Sequence, residues 1–173
     1  MSTILSLEEF RQLARPTSIH LDEHHVSAYV DEAVAKYIIP AIGYDLYKRL
    51  LLPDPWEDET QRTIILQGGE FTRTVCDCGQ SYDQLGICYG LKKTAAYFTY
   101  ALMQRADGAV AARAGLMRHR DDYAEHVDDK VRQTNDVMDM AESYLSSVLE
   151  YVKTLQPVAR ARQTRANIKA IGD

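Results

Sequence analysis

The chain has 173 residues, 46% of them hydrophobic, which suits one domain with a modest tail and excludes wholesale disorder. Its net charge of −5, its three cysteines and the lack of a long apolar run argue against broad nucleic-acid coating, a secreted disulfide framework and a membrane span. The N-terminal MSTILSLEEF has no signal-peptide pattern, so the expectation is a cytosolic protein.

Ser6-Leu7-Glu8-Glu9 reads as a capping box opening a short helix, with Leu7, Phe10 and Leu13 on one side and Arg15-Pro16 at its end. Asp22 is placed to cap a second helix, in which Val26, Val30, Ala33 (or Val34) and Tyr37 share a face. Pro40 removes a backbone donor, so the chain either kinks there or restarts with Pro40 in a first turn. Ile42, Leu46 and Leu50, flanked by Tyr44 and Tyr47, continue the apolar stripe until Pro53-Asp54-Pro55 stops it. Glu57 to Leu66 reads as a short helix closed by Gly68-Gly69.

From Gly69 to Gln80 the alternation of Phe71, Arg73 and Val75 allows either a brief strand or an irregular excursion. Ser81-Tyr82-Asp83-Gln84 matches a second capping box, which predicts a helix from there through about Arg105. That helix would carry Leu85, Cys88, Leu91 (or the Lys92 stem), Ala95, Phe98 and Leu102 on one side. Gly86 and Gly90 would lie one turn apart on it and admit a closely packed neighbouring backbone. Asp107-Gly108 ends it. Ala109 to Glu125 has no helical period and reads as a long loop, with room for a short strand at Leu116 to His119.

The longest regular stretch is Val127 to Leu155. Val127, Val131, Thr134, Met138, Ala141, Leu145, Val148, Val152 and Leu155 recur at steps of four and three, a period of about 3.5. At roughly 1.5 Å per residue this helix would span about 40 Å. Thr134 and Ala141 imply close helix approach: the stretch reads as the longest core helix of a small bundle, and a sharper reading adds that part of it faces a neighbouring subunit. Beyond Pro157 the tail carries Arg160, Arg162, Arg165 and Lys169 against Asp173 alone, so it is basic on an acidic body. The expectation is an all-α fold: a small helical bundle with a long terminal helix, a long inter-helix loop and an extended basic tail. Its domain covers 1–156 and the tail 157–173. Eleven tyrosines against three phenylalanines suit surfaces buried at one end and wet at the other, including subunit interfaces.

No catalytic constellation emerges. Cys76-x-Cys78 with a distant Cys88 lacks zinc spacing, and none of the five histidines forms a Glu-x-x-His pair on a helix. The acids Asp121, Asp122, Glu125, Asp128 and Asp129 complement the dipole of the helix they precede. Phosphate-loop, dinucleotide and nucleophile-elbow motifs are missing. The expectation is therefore a protein with no enzymatic activity, no cofactor and no metal.

Several phrases in order resemble the head–tail connector (adaptor, or head-completion) proteins of tailed bacteriophages and prophages. They are KYIIPAIGYDLYKRLL at 36–51, IILQGGEF at 64–71, GLKKTAAYFTYA at 90–101 and AGLMRHRDDYAEHVDDK at 114–130. The Cys76/Cys78 excursion has no place in that pattern. The resemblance implies a helical bundle that assembles as a ring beneath the portal, extends the DNA channel and docks the next connector or tail protein. Its partners would be further copies of itself, the portal protein, the downstream connector or tail protein, and DNA that passes without specific binding. It would act in the bacterial host cytoplasm during assembly and in the virion neck. Candidate interface residues are Gly115, Leu116, Met117, Arg118 and Tyr123 in the loop, and Arg160, Arg162, Arg165, Ile168 and Lys169 in the tail. The alternative reading is a nucleic-acid-binding accessory protein that uses the basic tail.

Overall fold

A computed structural model describes residues 4–15, 23–52, 56, 58–77, 80–106, 110–112, 115–117 and 127–155. Helix α1 (Leu7–Leu13) opens with the expected capping box: the Glu9 N–H donates to Ser6 Oγ at 3.2 Å, and the Ser6 N–H donates to Glu9 Oε2 at 3.0 Å. Helix α2 (Glu23–Ala33) buries Val26, Val30 and Ala33. A π-helical turn, Val34–Ile38, then leads into α3 (Ile39–Ile42), which has Pro40 in its first turn. Pro40 thus stands in a first turn, but of a helix that continues from the π turn without a break. The wide turn relieves the clash between the proline ring and the carbonyl four residues earlier, so the chain stays helical through it.

Gly43, at φ 86°, separates α3 from α4 (Tyr44–Leu51). Helix α5 (Glu59–Gln67) is capped by Asp58, which accepts from the Thr60 N–H at 2.9 Å. Arg62 of α5 donates to the Leu50 and Leu52 carbonyls at 3.1 and 3.2 Å, so it satisfies the open C-terminal end of α4.

Of the two readings left open for Gly69 to Gln80 the strand is the one realised, but the helix expected from Ser81 is not. Strands β1 (Gly69–Asp77) and β2 (Gln80–Cys88) form an antiparallel hairpin, and the following helix, α6 (Leu91–Ala106), begins nine residues later than the Ser81 box predicts. The fold is therefore a mostly helical scaffold with a small sheet rather than all-α. Asp83 and Gln84 do not cap a helix. Instead Thr74 Oγ1 donates to Asp83 Oδ1 at 2.9 Å, and Arg73 Nη2 donates to Gln84 Oε1.

Gly86 and Gly90 are likewise not helical. Gly86 lies in β2 opposite Phe71, whose ring covers it so closely that a Cβ there would sit 2.7 Å from Phe71 Cζ. Gly90 ends the hairpin at φ 82°, and a Cβ there would sit 2.5 Å from the Gln67 carbonyl carbon. Both glycines do permit a close approach, but of a ring and of the end of α5 rather than of a neighbouring helix.

Helix α6 is the centre of the scaffold. Leu91, Thr94, Ala95, Ala96, Phe98, Thr99 and Ala101 are fully buried on it, with α1 and α2 on one side and α7 (Val127–Leu155) along another. Its alanines and threonines let those helices come close. Phe98 stacks on Tyr37 at 4.4 Å between ring centroids. From the predicted seam of α7, Thr134, Met138, Ala141 and Val148 are buried and Leu145, Val152 and Leu155 half-buried. Val127 and Val131 are helical.

In place of one long loop after α6, two three-residue strands, β3 (Val110–Ala112) and β4 (Gly115–Met117), pair antiparallel. Gly115, Leu116 and Met117 thus make up β4, with Leu116 opposite Ala111. Arg118 and Tyr123 lie outside the described residues, as does the whole tail with Arg160, Arg162, Arg165, Ile168 and Lys169.

Candidate assembly surface

The β1–β2 hairpin is the feature that the helical scaffold holds out. Its two faces follow from the alternation of side chains along each strand. On the inner face Phe71 is buried and tilts against Tyr151 of α7 at 5.0 Å. Beside it Arg73 forms an ion pair with Glu150 and bridges to Gln84 across the strands. Cys88 is buried at the base, and its Sγ–H points to the Ile64 carbonyl at 3.4 Å. Burial pushes the Cys88 thiol above its ordinary pKa, so it is a packing residue kept in its neutral form.

The exit of the hairpin is clamped by a tyrosine–lysine cluster. The Tyr89 N–H donates to Ser147 Oγ at 3.1 Å, and the Ser147 hydroxyl donates to the Tyr144 carbonyl at 2.7 Å. Lys93 Nζ lies 5.1 Å from the Tyr89 ring centre and 4.7 Å from that of Tyr144, a double cation–π contact. Tyr97 meets Tyr144 edge-on at 5.0 Å. Desolvation, then the Tyr144 hydrogen bond, raise the Tyr97 pKa above its ordinary value. A two-stranded hairpin is marginal alone in water; this one is fixed at its base from α5, α6 and α7.

The outer face has no such cover. Glu70 pairs with Ile87, Thr72 with Leu85 and Thr74 with Asp83. Leu85 is 65% exposed and Ile87 55%, two large apolar side chains at i and i+2. Tyr82, near the tip, is exposed too, but opposite Val75 and so on the face of Phe71 and Arg73, and Tyr89 is 39% exposed at the exit beside Lys93 and Tyr144. Leu85 and Ile87 thus form an exposed apolar stripe on the outer face of the hairpin.

Two further exposed apolar side chains flank Lys48 of α4: Tyr44 (62% exposed) in the first turn and Leu52 at the C-cap. Beside it, Arg49 stacks on Trp56 at 4.8 Å and its carbonyl accepts from Trp56 Nε1–H at 3.3 Å. A cavity of about 210 Å³ lies behind this pair, lined also by Ile65, Val152 and Leu155 at the end of α7. Its charged members are already engaged, Arg49 on Trp56 and Asp58 as the cap of α5.

Among the described residues no group of three or more His, Cys, Asp or Glu could hold a metal ion, and no helix is long and apolar enough to cross a membrane. Both outward patches escaped the sequence reading. The available signal was the alternation through Tyr82, Gln84, Gly86 and Cys88, together with an x-Gly pair, Cys78-Gly79, between the paired residues Asp77 and Gln80. No family model, curated protein or solved structure matches the chain.

Proposed function

We propose that this chain is a structural head–tail connector (adaptor) subunit of a phage or prophage, which forms a ring beneath the portal, extends the DNA channel and docks the next connector or tail protein. It carries out no reaction in this reading and uses no cofactor. The observation that carries the proposal is the hairpin: a helical scaffold fixes it by Phe71, Cys88 and the Tyr89 cluster while Leu85 and Ile87 face outward, 65% and 55% exposed. A subunit whose work is assembly needs such preformed apolar contacts, because ordering a contact on binding subtracts from affinity.

The family resemblance supports the same reading. The segment 36–51 runs from the π turn through α4, 64–71 joins α5 to β1, 90–101 lies on α6, and 114–130 leads from β4 into α7. The resembling phrases are therefore consecutive parts of one scaffold. The net charge of −5 suits a channel through which DNA slides without being held.

The test is co-purification with the cognate portal protein, followed by light scattering of the complex. The proposal expects several copies of this chain per portal ring. A chain that neither binds the portal nor associates with itself refutes it.

A further inference from the structure

We infer that copies of this chain join head to tail, the outer face of the β1–β2 hairpin of one copy seating on the α4 patch of the next. The inference rests on the ring reading above and assigns the two surfaces that would close it. Six large hydrophobic residues are exposed among those described. Leu85 and Ile87 lie on the outer face of the hairpin, with Tyr82 on its other face and Tyr89 at its exit; Tyr44 opens α4 and Leu52 caps its end.

Within one chain α5 links the two elements that carry these patches. Arg62 ties α5 to the end of α4, and Ile64 packs under the base of the hairpin, where its carbonyl meets Cys88. The patches are unlike in charge. The outer face of the hairpin carries Glu70 and Asp83 and no cation, whereas Lys48 is the exposed charge between Tyr44 and Leu52, with Arg49 to its side stacked on Trp56. Glu70 lies beside Ile87, and Lys48 sits between Tyr44 and Leu52, so an apolar–acidic surface has an apolar–basic counterpart. Neither Glu70 nor Lys48 has an ion-pair partner among the described residues.

Two different, mutually complementary patches on one chain define a heterologous contact. Repeated with a closing rotation it generates a ring, whereas a single self-complementary patch stops at a dimer. Glu70 and Lys48 would set the direction and suppress the mismatched pairings of like patch on like.

The test uses mixing. Leu85→Ser with Ile87→Ser removes the hairpin surface, and Tyr44→Ser with Leu52→Ser removes the α4 surface. All four side chains are exposed, so the urea midpoints should match the wild type. Sedimentation from micromolar to millimolar chain is expected to show association of the wild type and its loss, by about tenfold or more in affinity, in each variant alone. Mixed together, the two variants are expected to form a one-to-one heterodimer and nothing larger, because one intact patch of each kind remains. The charge reversals Glu70→Lys and Lys48→Glu provide a second pair, each weakening association alone and restoring it when mixed.

Wild-type rings that both variant pairs leave intact overturn the inference while the connector reading stands. So does loss of association in the hairpin variants only, which would mean a like-on-like contact. A wild-type chain that remains monomeric throughout overturns it too, and the connector reading is then decided by portal binding.

Discussion

Replacing Gly86 with alanine tests how the hairpin is held on the scaffold. The added methyl would fall 2.7 Å from Phe71 Cζ and 2.9 Å from Cε1. The ring cannot simply swing aside, because Phe71 is 7% exposed and leans on Tyr151 at 5.0 Å. Overpacking of this kind costs about 2 kcal/mol, a fall in Tm of roughly 4–8 °C for a chain of this size. Phe71→Ala removes the obstacle, at about 3 kcal/mol of its own for the lost ring. In that background Gly86→Ala should be neutral, or stabilising by up to about 1 kcal/mol because alanine restricts the unfolded chain. The double-mutant cycle in urea therefore predicts a coupling of about 2–3 kcal/mol with an unchanged m-value. If Gly86→Ala is harmless in the wild type, or equally damaging without the ring, the described seat of the hairpin is wrong.

Other outcomes follow from the same contacts. Gly90→Ala should cost more than Gly86→Ala, because the positive φ and the backbone of Gln67 both oppose a side chain; a normal urea midpoint would contradict this. Arg73→Ala should move the global midpoint by less than about 1 kcal/mol yet speed hydrogen exchange in β1 and β2, since the ion pair to Glu150 secures only the hairpin. Glu9 is desolvated, which raises its pKa, but the contacts from Lys92 and Ser6 outweigh this and leave the carboxyl below its ordinary value. A depressed folded-state pKa gives stability that is present above the unfolded carboxyl value of about 4.3 and is lost as pH falls through the folded value. Glu9→Gln should therefore flatten the acid end of a Tm–pH profile; identical acid slopes would count against the pairing. Cys88, buried and held neutral, should resist a thiol reagent until urea opens the base of the hairpin, which mass mapping of the modified cysteine would show.

The helices were legible because their signals are local. The Ser6–Glu9 box, Pro40 in a first turn, Gly68 after α5 and the apolar seam of α7 each act within a turn or two of chain. The hairpin was misread for the same reason. Ser81 to Gln84 imitates a capping box, and Leu85, Cys88 and Leu91 carry helical spacing over a short span. What decides the matter is distant: Phe71 needs Gly86 beneath it and Tyr151 beside it, and no window of the sequence contains all three. Outward apolar residues are harder still. Leu85 is exposed only because β2 pairs in the register that sets it opposite Thr72, and a slip of one residue would turn it inward.

Electron microscopy of the chain bound to its portal tests the central claim most directly. The account predicts a ring of this protein coaxial with the portal, continuing its channel. Particles in which the portal stands bare, or in which single copies bind without touching one another, would contradict it.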